Sequence, residues 1–211
     1  MQFVLDNIKF PVPYVELSTD ISPDEVNQIY HYFVDITKTN FTTPSYTRSH
    51  HFEDSIWLRF TNGCMHDDIW DSEDAWDKFF NDFLKLPKTD EFRQFYKEAR
   101  LVFKPIIFKM KQALEIHTGK KHPIQGVEVN MIPAGGHIKA HIDNHPADHC
   151  THRVHLVLET NDQAYMLCNN EKRHFDRGQC FIFNNKMLHS VHNEGSTPRT
   201  HLVVDFLQLK D

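Results

Sequence analysis

The sequence predicts an α+β fold: a double-stranded β-helix (a jelly-roll, cupin-like core) with N-terminal helices packed on one face. Three observations predict it. Helix-period apolar stripes are gathered before about residue 120, short strand-like runs follow one another closely after residue 126, and no repeat, low-complexity tract or linker divides the chain. Helices followed by an antiparallel strand series read as α+β. A single domain over 1–211 is expected, with 1–125 a mainly helical support region and 126–208 the jelly-roll core.

The first helix opens at Ser22-Pro23-Asp24-Glu25, which combines an N-cap serine, a proline at the first helical position and a glutamate three residues after the cap. Val26, Ile29, Tyr30, Phe33 and Val34 then share one face. A second helix is expected from Ser72, with Trp76, Phe79, Phe80 and Phe83 at helical spacing. A third runs from about Asp90, and Pro105 is expected to restart it as a fourth, ending at Gly119. Strands are expected at 12–17, 55–60, 126–132, 137–143, 152–159, 163–168, 179–184, 188–193 and 199–208.

Composition narrows the function classes. A chain of 211 residues that is 40% apolar and 25% charged can bury a core without staples. Its formal charge of −6 provides no basic footprint, so no nucleic-acid partner is expected. Cys64, Cys150, Cys168 and Cys180 form no C-x-x-C pair, which reads as free thiols in a reducing compartment. No apolar run of membrane length and no signal-peptide pattern occurs, so a cytoplasmic location without membrane attachment is expected.

The chemistry is concentrated between His137 and Phe206. His141-Ile142-Asp143 follows a Gly135-Gly136 turn, Arg153-Val154-His155 comes next, and His189 precedes Arg199. Side chains at i and i+2 of a strand share a face, so His141 and Asp143 are expected to reach one metal ion. The same period groups Arg153 with His155 and turns Val154, Leu156 and Leu158 the other way. Two histidines and one carboxylate with open positions form the facial triad of non-heme Fe(II) oxygenases. Other His-x-Asp triplets, His66-Asp67-Asp68 and His174-Phe175-Asp176, have no comparable partner set.

The run HIDNH…HRVHLVLETND…RGQCFIFNNKMLHSVHNEG…PRTHLVVDF resembles the catalytic core of the aspartyl/asparaginyl beta-hydroxylase family of 2-oxoglutarate-dependent oxygenases, over residues 126–207. The resemblance implies that His141, Asp143 and His189 hold Fe(II). It implies that Arg199 pairs with the distal carboxylate of 2-oxoglutarate, that Arg153 and His155 meet the carboxylate nearest the metal, and that Asn130 adds a hydrogen bond. O2 is the second co-substrate, and the implied reaction hydroxylates an unactivated C–H of an amino-acid side chain, free or peptidyl, with release of succinate and CO2. Asp143 is absent from vertebrate-type members, which use two histidines, so the chain is closer to bacterial members. The family's Phe-Asp-Asn reads Phe183-Asn184-Asn185 here. The alternatives are a cupin-like metal-binding module without oxygenase activity and an oxygenase of the same fold acting on another metabolite. Phe41–Phe60 and Asn144–His152 are expected to frame the substrate. His145, His149 and His152, and also Arg48, Arg59 and Arg173, are candidates to touch it.

Overall fold

In the computed structural model, residues 12–37, 43–44, 56–59, 90–143 and 151–207 are described. The expected helix from Ser72 and the residues Arg48, His145 and His149 lie outside them.

In chain order the elements are β1 (Tyr14–Leu17), α1 (Pro23–Thr37), β2 (Thr43–Pro44), β3 (Ile56–Arg59), α2 (Asp90–Thr118), β4 (Ile124–Ile132), β5 (His137–His141), β6 (Thr151–Glu159), β7 (Ala164–Cys168), β8 (Glu171–Arg173), β9 (Cys180–Phe183), β10 (His189–Asn193) and β11 (Arg199–Leu207). Among the described residues they form a seven-stranded sheet, ordered β1-β9-β6-β11-β4-β3-β2, and a four-stranded sheet, ordered β5-β10-β7-β8. Every pairing is antiparallel. The expected double-sheet architecture is therefore present.

The start of α1 is the capping box read from the sequence. Glu25 N–H donates to Ser22 Oγ at 3.3 Å, and Ser22 N–H donates to Glu25 Oε2 at 2.8 Å, satisfying two backbone donors that a helix start leaves unpaired. Glu25 also binds Lys109 Nζ at 2.8 Å and so ties α1 to α2.

Pro105 does not restart a helix; α2 runs unbroken through it. Pro105 and Leu101, the residue whose carbonyl loses its amide partner, both lie on the exposed side of α2, Leu101 being 68% exposed, which leaves that carbonyl within reach of water. Solvent thus replaces the missing bond, and the break expected of a buried proline is avoided. Termination at Gly119 is as expected: its φ is 70°, and its N–H reaches Glu115 O at 2.8 Å.

Strand alternation splits the large sheet into two unlike faces. Val127 and Val129, Val154, Leu156 and Leu158, and Leu202, Val204 and Phe206 pack under Ile29 and Phe33 of α1 and Phe103, Ile107 and Met110 of α2. The opposite face looks toward the small sheet across a second apolar cluster that includes Tyr14, Ile132, Val157, Phe175, Phe181 and Val191. Phe175 stacks on Phe181 with centroids 3.6 Å apart. Into this second layer project the even-numbered residues of β4 after the register shift near Ile124 and the odd-numbered residues of β6 and β11, and that parity determines which polar side chains reach the interior. No helix among the described residues is long and apolar enough to cross a membrane.

Candidate active site

His141 ends β5, His189 begins β10, and the two are direct cross-strand partners in the small sheet, followed by a register shift before Val191. Asp143 was expected on the same strand as His141, but β5 stops at His141, so strand alternation is not what brings the carboxylate in. A turn holds it instead. Asp143 N–H donates to Asn185 O at 3.1 Å, and Lys186 Nζ donates to Asp143 O at 3.0 Å. Asn184 Oδ1 shapes that turn by accepting Lys186 N–H at 3.1 Å, so the Asn that replaces the family's Asp at this position serves a turn.

The three side chains converge. Asp143 Oδ1 lies 3.4 Å from His141 Nε2 and 3.8 Å from His189 Nε2, and one ligand atom from each residue falls within 4.8 Å of the others. Among the described residues this is the one such cluster of three. Each histidine turns its other nitrogen to a carbonyl two residues earlier: His141 Nδ1 to Lys139 O at 2.8 Å, and His189 Nδ1 to Met187 O at 2.9 Å. A carbonyl only accepts, so both Nδ1 atoms carry the proton and both Nε2 lone pairs point at the carboxylate, the tautomer a metal needs. Burial, only partly offset by Asp143, brings His189 down to about 4. Burial acts most strongly on His141, lowering it, but Asp143 and the Lys139 carbonyl together outweigh burial and raise it. For Asp143, burial acts upward, yet the Arg153 guanidinium and then the two histidines hold the carboxyl well below the usual range. An N2O donor set of this kind fits Fe(II) and would also accept neighbouring first-row ions.

Arg153 and His155 do share a face of β6, opposite Val154, Leu156 and Leu158. The Arg153 fork, however, is engaged with protein carboxylates. Nη1 donates to Asp143 Oδ2 at 2.6 Å, while Nε and Nη2 donate to Asp205 Oδ1 and Oδ2 at 2.8 and 3.1 Å. Asp205 is directly opposite Arg153 in the β6–β11 register. It was missed in the sequence, although its offset of six residues from Arg199 puts it on the same strand face. The clamp occupies Oδ2 and leaves Oδ1 of Asp143 to the histidine side.

Farther in, Arg199 is 3% exposed, His201 2%, Asn130 4% and His155 8%. His201 sits opposite Asn130 on β4 and Val157 on β6. Arg199 Nη2 donates to His201 Nδ1 at 3.1 Å, and His155 Nδ1 lies 3.3 Å from the same atom. His155 also stacks on Phe181. Burial brings Arg199 down to about 9, which leaves it cationic at neutral pH, and burial followed by the charge of Arg199 keeps His155 and His201 well below the usual histidine range. Among the described residues no carboxylate pairs with Arg199, and His155 Nε2 and Asn130 Nδ2 are buried without a hydrogen-bond partner. A buried guanidinium and orphaned polar atoms are costly unless a ligand satisfies them, and an anion with several acceptor oxygens fits that requirement.

His152, Arg173 and His174 fall elsewhere. His152 is on the helix-covered face of β6, its ring 4.8 Å from that of His122. Arg173 pairs with Glu16. Arg59 is opposite Glu128 in the β3–β4 register. His174 Nδ1 binds Ala164 O at 2.8 Å.

Comparison with known proteins identifies the fold and the family. The solved structure of a Pseudomonas putida prolyl-4-hydroxylase is similar at 13% identity, covering 94% of each chain, with a TM-score of 0.50. A Trichoplax adhaerens prolyl hydroxylase, solved with a peptide of the hypoxia-inducible factor oxygen degradation domain, is similar at 11% identity, covering 92% of this chain and 83% of its own, with a TM-score of 0.55. The non-heme alpha-ketoglutarate-dependent epimerase SnoN of nogalamycin biosynthesis is similar at 12% identity, covering 93% and 78%, with a TM-score of 0.57. At such identities these likenesses show the fold alone. No curated protein matches in sequence. The family model for aspartyl/asparaginyl beta-hydroxylase matches residues 67–208, about two thirds of the chain, beginning well before the motif run at 126–207. The chain belongs to the aspartyl/asparaginyl beta-hydroxylase family, and with it to the 2-oxoglutarate- and Fe(II)-dependent oxygenases.

Proposed function

We propose that this oxygenase hydroxylates an unactivated C–H of an amino-acid side chain, free or within a peptide. In this reading His141, Asp143 and His189 hold Fe(II), Arg199 holds the distal carboxylate of 2-oxoglutarate, and His155 and Asn130 meet its metal-proximal end. Arg153 acts there chiefly by holding Asp143. The observation that carries the reading is Arg199, buried and without a carboxylate partner among the described residues, in the same interior layer as the metal cluster. When bound, iron and 2-oxoglutarate supply the oxidising power, with O2 consumed and succinate and CO2 released.

The residues supply placement. The two Nδ1–H donors to Lys139 O and Met187 O hold both imidazoles in the ligating tautomer. The Arg153 clamp keeps Asp143 ionised and turned by one oxygen to the histidines. Phe181 and Phe183 pack against the His155 ring, and Phe175 stacks on Phe181, so apolar surface flanks the place assigned to the co-substrate. The amino-acid substrate class follows the family, and the peptide bound in the Trichoplax structure is an instance of a peptide held by this fold. The reducing, cytoplasmic setting proposed here rests on Cys168 and Cys180, both buried and free. Family membership removes the alternative of a metal module without oxygenase activity; a metabolite outside the amino acids remains the competing substrate class.

An anaerobic titration with Fe(II) and 2-oxoglutarate tests the site. The visible charge-transfer band of the chelated co-substrate is expected, lost in His189→Ala and weakened in Arg199→Ala. One charge-assisted pair at Arg199 is worth roughly 1.5–3 kcal/mol, so the 2-oxoglutarate constant should rise by about 10- to 150-fold. Metal bound without any band would remove the co-substrate assignment. Succinate release with amino acids and peptides, against none with other metabolites, tests the substrate class.

A further inference from the structure

We infer that His201 is a positioning residue that fixes the tautomer of His155, so that binding of 2-oxoglutarate draws one proton from solvent onto the His155 imidazole. This rests on the co-substrate reading above and deepens it.

The argument is a count of hydrogens. A guanidinium can only donate, so at 3.1 Å from Arg199 Nη2 the Nδ1 of His201 accepts and carries no proton. The hydrogen in the 3.3 Å contact between His201 Nδ1 and His155 Nδ1 therefore belongs to His155. A neutral imidazole has one N–H. His155 Nε2 is then a bare acceptor, buried and without a partner, and it is the one ring nitrogen left to meet a ligand. A carboxylate only accepts. Bringing a carboxylate oxygen to Nε2 sets two acceptors face to face unless that nitrogen gains a proton. Shifting the existing proton from Nδ1 to Nε2 fails as well, because it leaves the lone pairs of His155 and His201 opposed. Doubly protonated, His155 donates from Nδ1 to His201 and from Nε2 to the carboxylate, and every contact has one hydrogen.

The surroundings support the change. The groups facing His155 are Arg199 and His201 from β11, Arg153 from its own strand, and His189 and Asp143 from the metal side. Phe181 and Phe183 cover its ring, and Phe183 also packs against His189, with centroids 5.2 and 4.8 Å away. Without a ligand, burial, then Arg199, Arg153 and His189, keep His155 neutral, with Asp143 alone pulling the other way. A dianion seated on Arg199 cancels the largest of those repulsions and adds an acceptor.

The test is calorimetric titration of Mn(II)-loaded protein with 2-oxoglutarate at neutral pH in two buffers of different ionisation enthalpy. Uptake of about one proton per site is expected, with the dissociation constant rising about tenfold per pH unit between the free and bound pKa values of His155. Neither carboxylate of 2-oxoglutarate titrates near neutrality. In His201→Phe the uptake should fall toward zero, because His155 is then free to present Nε2–H. His155→Gln should bind without uptake and guards against a His201→Phe protein that does not fold. Normal binding with equal heats in both buffers overturns the proposal and leaves the co-substrate reading standing. Uptake that persists in both variants assigns the proton elsewhere and overturns it too. No binding at all removes both.

Discussion

The two faces of the large sheet are built from the same strands yet obey opposite rules. On the outer face Val154, Leu156, Leu202 and Val204 meet α1 and α2 with apolar contact. On the inner face the alternate residues of those same strands are polar: Arg153 is part-buried, His155, Arg199 and His201 are buried, and His155 Nε2 has no hydrogen-bond partner among the described residues. An apolar face is complete when its neighbours fill it. A buried cation without a counter-charge is complete only when something else binds. The outer face therefore serves stability, and the inner face spends stability on readiness for an anion.

Breaking the polar layer between the two sheets should cost function without much cost in folding. The largest effect is expected from His189→Ala or Asp143→Ala: turnover lost and Fe(II) affinity sharply reduced, with a melting temperature near that of the parent. Retained iron-dependent turnover in both would dissolve the metal assignment. The converse break is Leu156→Ala, a fully buried outer-face residue, expected to cost about 2–5 kcal/mol of stability in denaturant titration. Fe(II) affinity of the folded fraction should stay the same, and a parallel loss of metal would show that the faces are coupled.

Finer tests sharpen the contrast. Asp205→Asn removes the charge that pairs with Arg153 Nε and Nη2, so Arg153 holds Asp143 less firmly, and outer-shell changes of this kind cost about 10- to 100-fold in metal affinity. An unchanged metal constant would mean the carboxylate is held by its turn alone. The smallest effect concerns the outer face and acid. His152 is brought down to about 3 by burial, then by His122 and His117. Its neutral form is the one the fold accepts, so the contribution is full above the unfolded-state value of about 6.5 and is lost as pH falls from there toward about 3. His152→Phe should flatten that part of the stability–pH curve; an unaltered acid limb would assign the loss to other groups.

Much of this contrast was legible in strand alternation. Because successive side chains of a strand face opposite ways, the spacing of Arg153 and His155 against Val154, Leu156 and Leu158 already separated polar from apolar faces. The same rule, applied further along β11, would have included His201 and Asp205. Where the reading went astray, the cause lay outside the local pattern. Asp143 was assigned to the strand of His141, but the turn at Asn184–Lys186, forty residues on, is what holds it. Pro105 read as a break because sequence does not say which side of α2 faces water.

By itself the sequence determined the capping box of α1, the strand series that follows α2, the end of α2 at Gly119 and the grouping of His141, Asp143 and His189 as one candidate set, because each follows from short-range stereochemistry or from a motif in one stretch of chain. Only the tertiary structure decided that Arg153 bridges Asp143 and Asp205, that His201 stands between Arg199 and His155, and that Arg199 is buried with no carboxylate partner among the described residues. Those facts depend on cross-strand register, which pairs residues such as Arg153 and Asp205 across 52 positions. Register is set by how whole sheets bury their apolar faces, and no local window of sequence contains that information.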